Sequence, residues 1–325
     1  MSKGIFTISL DFELYWGVRD KRTLTEYGPN ILGVREAIPR MLELFAHYGL
    51  HATWATVGFL FFDGKEELIE SLPSVLPKYS NRNLSPYLAL EKLGKDEASD
   101  PYHFAPSLIH RIVEAPNQEI GTHTFSHYYC LENGQEGEAF RADLQSAVEV
   151  ANRKFGIGLK SLVFPRNQFN SDYLQIAAEV GIRAYRGNEC SWIYAAKNAK
   201  AETSARRILR LADSYVSLTG HNTYPIALAS QPSIRNLPAS RFLRPYSTWF
   251  RPLERFRLLR ILSDLSYAAR TGRVFHLWWH PHNFGRHLDE NLFFLRAISE
   301  HFARLRDSHG FKSRSMGGMA EELSQ

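Results

Sequence analysis

The sequence predicts an α/β fold organised around a parallel sheet or barrel, and three observations carry that prediction. Short apolar runs alternate with longer amphipathic segments of helical period along most of the chain. The first of these runs, "GIFTISLDF", keeps one wholly apolar face and one mixed face. Of 325 residues, 44% are apolar and 13% aromatic, enough for a large core and too many for a disordered chain.

In order, "GIFTISLDF" reads as a strand and "ILGVREAIPRMLELFAHYG" as a helix that stops at Gly49. "HATWATV" is the next strand, and "EIGTH" reads as a further short one. A helix over "EGEAFRADLQSAVEVANRKFG" precedes the strand "SLVFP", and the helix "DYLQIAAEVG" leads into "IRAYRG". Further on, "LERFRLLRILSDLSYAAR" is helical, "RVFHLWW" is a strand and "LDENLFFLRAISEHFARLR" is helical. The stretches at about 60–117 and 191–250 fit this alternation poorly and read as insertions on a single domain spanning 1–325. No short-period repeat or low-complexity tract is present.

Composition narrows the function classes. Thirty-nine basic against 34 acidic residues leave a net charge of +5, too mild for a nucleic-acid partner. Cys130 and Cys190 make no disulfide framework and are expected as reduced, buried thiols. The N-terminal residues lack a signal-peptide pattern and the longest apolar run is far short of a membrane span. The expectation is a soluble, cytoplasmic protein without a transmembrane segment.

Four stretches carry chemistry. On the first strand Ile5, Thr7, Ser9, Asp11 and Glu13 share one face, which turns polar toward its C-terminal end. Two carboxylates at a buried strand end repel each other and resist desolvation, so something cationic must compensate them. In "THTFSH", His123 and His127 are four apart and share a face if a helical turn follows the strand; with a carboxylate they form a three-ligand set for a divalent metal. In "FPRNQ", Arg166 sits just past a strand end, where it can hold a carboxylate through paired hydrogen bonds. In "VFHLWWHPHNF", His276, Trp278, His280 and His282 alternate onto one face. His280 is the expected proton donor to a leaving group, and His276, deeper, reads as a core histidine. A tryptophan there can pack against a sugar ring or acyl group.

Together and in this order, "SLDFE", "THTFSH", "FPRNQ" and "LWWHPH" resemble the motifs of the polysaccharide deacetylase superfamily (carbohydrate esterase family 4, the NodB-homology domain), and its WbmS-like branch most of all. "HATWATVG" is similar to a further family strand, and "FKSRSMGGMAEEL" looks like the strand and helix that close such domains. The resemblance implies a distorted, incomplete (β/α)7–8 barrel. It implies a hydrolase that removes an acetyl or other acyl group from an amino sugar or glycan with a divalent metal, zinc foremost and cobalt, nickel or manganese as alternatives. It makes Asp11 the general base, Glu13, His123 and His127 the metal ligands, Arg166 the residue orienting Asp11, and His280 the acid. Trp278, Trp279, His282 and Asn167 become the expected substrate contacts. The first motif departs from the family, whose aspartates are usually neighbours; here the pattern is D-x-E. The branch implies a role in bacterial surface polysaccharide biosynthesis. The run 241–260 holds six arginines among aromatics; a solvated basic face is the plainer reading, and a nucleotide- or lipid-linked glycan precursor the functional one. Two alternatives stand beside the deacetylase: a hydrolase of non-sugar C–N bonds such as cyclic ureides, working without metal, and a non-catalytic glycan-binding homologue.

Overall fold

The structure, a computed structural model, describes residues 3–195, 203–229 and 234–323. Strand β1 (Ile5–Phe12) is followed by helices α1 (Leu24–Leu32) and α2 (Val34–Tyr48) and by β2 (Ala52–Thr56). Helices α3 (Lys65–Glu70) and α4 (Pro106–Glu114) precede β3 (Gln118–Thr122). Then come α5 (Gly137–Phe155), β4 (Ser161–Val163), α6 (Leu174–Glu179), β5 (Ala184–Arg186), α7 (Ser204–Asp213) and β6 (Tyr224–Pro225). The rest are β7 (Arg235–Asn236), β8 (Arg241–Phe242), α8 (Glu254–Thr271), β9 (Arg273–Trp279), α9 (Leu288–His309), β10 (Lys312–Ser313) and α10 (Met316–Glu322).

The strands form one sheet in the order β6-β9-β1-β2-β3-β4-β5-β7, with β10 beside β1 and β8 beside β9. Every pairing is parallel except β6 with β9. The sheet curls into the distorted, incomplete barrel that the resemblance implies. Parallel registers bring the C-terminal ends of β1, β3, β5 and β9 to the same rim, the end at which such barrels gather functional groups.

The two faces of β1 divide as the alternation predicts. Phe6, Ile8, Leu10 and Phe12 are fully buried in the outer core with Met41 and Phe45 of α2 and Ile298 and Phe302 of α9. Burial of such side chains contributes about 1.5–3 kcal/mol each. The inner face is layered. At the bottom Ile5, Ala184 and Val274 pack with Met316 and Met319 of α10, which plugs that end. Above them polar groups begin: the Ser9 hydroxyl bonds both Arg186 and His276 inside the barrel.

Two local features differ from the sequence expectation. The helix expected from Ile31 begins at Leu24, because Thr23 and Glu26 form a reciprocal capping box. It is then divided at Gly33, where a Cβ would lie 2.1 Å from the carbonyl oxygen of Gly285. That close approach needs glycine and seats the loop after β9 against the joint. Cys190 is exposed rather than buried, whereas Cys130 is buried.

Candidate active site

Asp11 leaves the end of β1 almost wholly buried, 3% exposed. Its carboxylate is gripped by Arg186, whose two terminal nitrogens donate to Oδ1 at 2.6 Å and to Oδ2 at 2.8 Å. The same guanidinium donates to Ser9 Oγ (3.0 Å) and Asn167 Oδ1 (2.9 Å) and lies 4.2 Å from the ring centroid of Trp278. Burial pushes the Asp11 carboxyl up, but Arg186, with His123 and His280, outweighs it and holds the group below its ordinary value. Asp11 is therefore anionic at neutral pH.

Two residues on, Glu13 points into the same cavity, again nearly buried. Its Oε2 lies 2.9 Å from His127 Nε2 and 3.3 Å from His123 Nε2. Burial raises its carboxyl, and His280, His123 and His127 together hold it well below the usual range. Gly17 closes over it: a Cβ there would come within 1.9 Å of the Glu13 carboxyl carbon.

The loop bearing the two histidines is not the helical turn that the spacing suggested. Thr124 and His127 sit in the left-handed region, with φ of 64° and 60°. For non-glycine residues that costs on the order of 1 kcal/mol each. The loop is tied down by buried Asp143 of α5, which accepts from the backbone N–H of Phe125 (2.7 Å) and Ser126 (3.1 Å) and from the Ser126 hydroxyl. Burial pushes the Asp143 carboxyl up to about 7 against these donors. The imidazoles thus meet, with centroids 5.0 Å apart, through loop geometry rather than helix periodicity.

This trio suits a divalent cation. His123 Nδ1 lies 2.8 Å from the Val163 carbonyl, which can only accept, so that nitrogen donates and Nε2 is the one turned to the Glu13 oxygen at 3.3 Å. Buried and without a hydrogen-bond partner of its own among the described residues, Nε2 is placed to ligate a cation. His127 is held neutral, lowered to about 4 chiefly by burial despite the pull of Glu13. One ligand atom from each of Glu13, His123 and His127 falls within 4.8 Å of the others, and two nitrogens with one oxygen match the donor set of an open zinc-type site.

His280 stands at the rim, its side chain 24% exposed, with Nε2 3.7 Å from Asp11 Oδ2 and 3.6 Å from Glu13 Oε1. His276 is a satisfied core residue, its nitrogens against Ser9 Oγ (2.9 Å) and the Leu237 carbonyl (3.1 Å). Next to this cluster lies a cleft of about 740 Å³, lined by Asn167 and Trp278, which both touch Arg186, among others.

Several expectations need correction. Arg166 does not orient Asp11; it pairs with Asp20 and lies over the Tyr129 ring at 4.3 Å. The reason is backbone geometry: Arg166 follows β4 in a left-handed turn (φ 56°), whereas Arg186 projects inward from β5 itself, level with Val163. Trp279 does not face the cleft. It is fully buried on the opposite side of β9 against Phe45 and Phe284, as strict alternation from Trp278 requires. Nor does His282 face the cleft: it is a buried ring stacked 5.0 Å behind His280, with Nε2 4.0 Å from Glu13. Trp278 borders the cleft, its indole N–H on Glu189 Oε1 (3.2 Å) and its ring against Phe242. In the arginine-rich run, Arg241 and Arg260 are buried on Asp264 and Arg257 on Glu254, so much of that charge is structural.

Sequence reasoning missed Arg186, Asp143 and Glu189. The signal for Arg186 was available: in "IRAYRG" an arginine ends a strand just before a glycine.

Comparison with known proteins bears on the family and the fold. Residues 25–185 match the family model described as polysaccharide deacetylase. No curated protein sequence matches the chain. A candidate polysaccharide deacetylase from Mycobacterium smegmatis superposes with a TM-score of 0.61 at 15% identity, covering 100% of this chain and 91% of that one. A second from Pseudomonas aeruginosa PAO1 gives 0.52 at 12%, covering 98% and 90%. The allantoinase Puue gives 0.54 at 11%, again covering 98% and 90%. At these identities the superpositions show the fold, and the family match over residues 25–185 is what speaks for descent. The chain belongs to the polysaccharide deacetylase superfamily, and as an enzyme it is of the carbohydrate deacetylase class.

Proposed function

We propose that the protein is a metal-dependent hydrolase that removes an acyl group, acetyl foremost, from an amino sugar or glycan precursor. The observation that carries this reading is the buried convergence of Glu13 with two imidazoles beside a second carboxylate held by its own arginine. A divalent cation held by Glu13, His123 and His127 would polarise the acyl carbonyl and acidify a water. Asp11 takes the proton of the attacking water; Arg186 keeps it ionised and aimed. His280, partly exposed at the rim, delivers a proton to the departing sugar nitrogen or oxygen. Burial keeps bulk water from competing and strengthens each of these contacts.

Elemental analysis of the purified protein, paired with acetate release from acetylated sugars, tests the proposal. Asp11→Asn is expected to retain metal and lose turnover, whereas His123→Ala loses both. Full activity of Asp11→Asn would refute the assignment. Ammonia or ureide products from a metal-free protein would move the chain to the hydrolases of non-sugar C–N bonds. Zinc as the resident metal, a cytoplasmic location, a single domain with two insertions, and a role in bacterial surface polysaccharide synthesis form part of the same proposal.

A further inference from the structure

The cleft beside the Arg186–Asp11 pair is cationic to a degree that acyl hydrolysis does not require. Lys21, Arg166, Arg207, Arg210 and Arg244 line it, against Glu189 as the lone acid among the described lining residues. Burial pushes the Glu189 carboxyl up, which weakens its opposition to an anion. Of these, Arg210 donates to the Ile193 carbonyl, whereas Lys21, Arg166, Arg207 and Arg244 are poorly committed. Arg166 spends one nitrogen on Asp20 and leaves Nε and Nη1 buried without a partner among the described residues. Arg244 donates from Nε to Ser214 Oγ (2.7 Å), with no carboxylate in reach of its other nitrogens among the described residues. Lys21 and Arg207 form no ion pair there either, and Lys21 is pushed down by partial burial and by its neighbours Arg166 and Arg207. Like charges gathered round one hollow repel unless something negative occupies it.

The cleft also joins the reacting groups. Asn167 and Trp278 line it and both touch Arg186, while the Phe242 ring lies 5.9 Å from the His280 ring. Its volume of about 740 Å³ falls within the range that encloses a whole small-molecule ligand, about 300–1,000 Å³.

We propose that this cleft is a phosphoryl subsite, and that the acyl sugar arrives carrying a phosphate or diphosphate that the cleft holds. The inference rests on the deacylase reading. A single carboxylate, as in a uronic acid, is satisfied by one arginine fork; several cations around one hollow fit a dianionic group rich in acceptor oxygens.

Two measurements on the full chain separate this inference from the reading beneath it. The first is calorimetric binding of inorganic pyrophosphate to the wild type, to Arg207→Glu, to Arg244→Ala and to Arg251→Glu, an exposed position outside the cleft lining. The dissociation constant is expected to rise at least tenfold in the first two variants and to stay within twofold in the third. The second is acetate release from N-acetylglucosamine, its 1-phosphate, UDP-N-acetylglucosamine and a short-chain prenyl diphosphate conjugate. A kcat/KM at least thirtyfold higher for the phosphorylated sugars supports the inference, and the last two distinguish a nucleotide from a lipid carrier. Acetate release without preference for phosphate, or pyrophosphate binding indifferent to Arg207 and Arg244, overturns the subsite and leaves the deacylase standing. Tight pyrophosphate binding with no acyl sugar hydrolysed removes the deacylase reading, and the phosphorylated acyl sugar with it.

Discussion

Replacing Arg186 by leucine isolates the grip on Asp11. The substitution removes two hydrogen bonds of 2.6 and 2.8 Å from a carboxylate that is 3% exposed. Breaking a buried pair in this way costs about 3–5 kcal/mol. Without Arg186 the strongest group opposing burial is gone, so the Asp11 carboxyl moves upward from its depressed position. The sign of its contribution to stability reverses. In the wild type the depressed carboxyl stabilises the fold above about pH 4, and that share is lost as pH falls through its folded value. In Arg186→Leu the raised carboxyl favours the fold at low pH and opposes it as pH rises. Urea unfolding between pH 4 and 8 and the acid limb of kcat/KM both read the change. Asp11→Asn in the Arg186→Leu background should restore part of the lost stability, since the uncompensated charge is gone. Arg166→Leu should leave the limb where it is. A limb that moves with Arg166 and not with Arg186 would refute the reasoning.

Gly17→Ala is expected to displace Glu13, because the added methyl collides with its carboxyl group; metal affinity should fall on the order of 10–100-fold, measured by chelator competition. Glu13→Gln should lose bound metal by elemental analysis while keeping its fold by circular dichroism, because the amide offers His127 the same shape without the charge. Burial lowers His276 to about 3, so the unfolded chain binds a proton that the folded one refuses once pH falls below about 6.5. Stability should therefore decline by about 1.4 kcal/mol per pH unit from that group between pH 6.5 and 3, and His276→Gln should flatten the decline in urea titrations.

What could be read from the sequence is what strand and helix periods govern. The layered interior of β1, the apolar exterior and the deeper burial of His276 all follow from alternation. The failures have a common origin. Side chains on loops are aimed by backbone angles and hydrogen bonds that no period encodes. His123 and His127 converge through left-handed residues pinned by Asp143, and Arg166 is turned away by a left-handed residue of its own. Trp279 is the opposite case: alternation predicts its inward position in the outer core, and motif likeness alone suggested otherwise. Arg186 was hidden because β5 is only three residues long, too short to show a face.

One consequence follows from where β1 sits. It lies between β2 and β9, and one hydrogen-bonded partner of Ser9 inside the barrel, His276, is 267 residues downstream. During synthesis the segment waits with an open, sticky border for nearly the whole of translation before its late neighbour emerges, a state that favours aggregation. Asp11 and Glu13 put two carboxylates at the tip of that segment, and charge on an open strand is a feature that opposes edge-to-edge association.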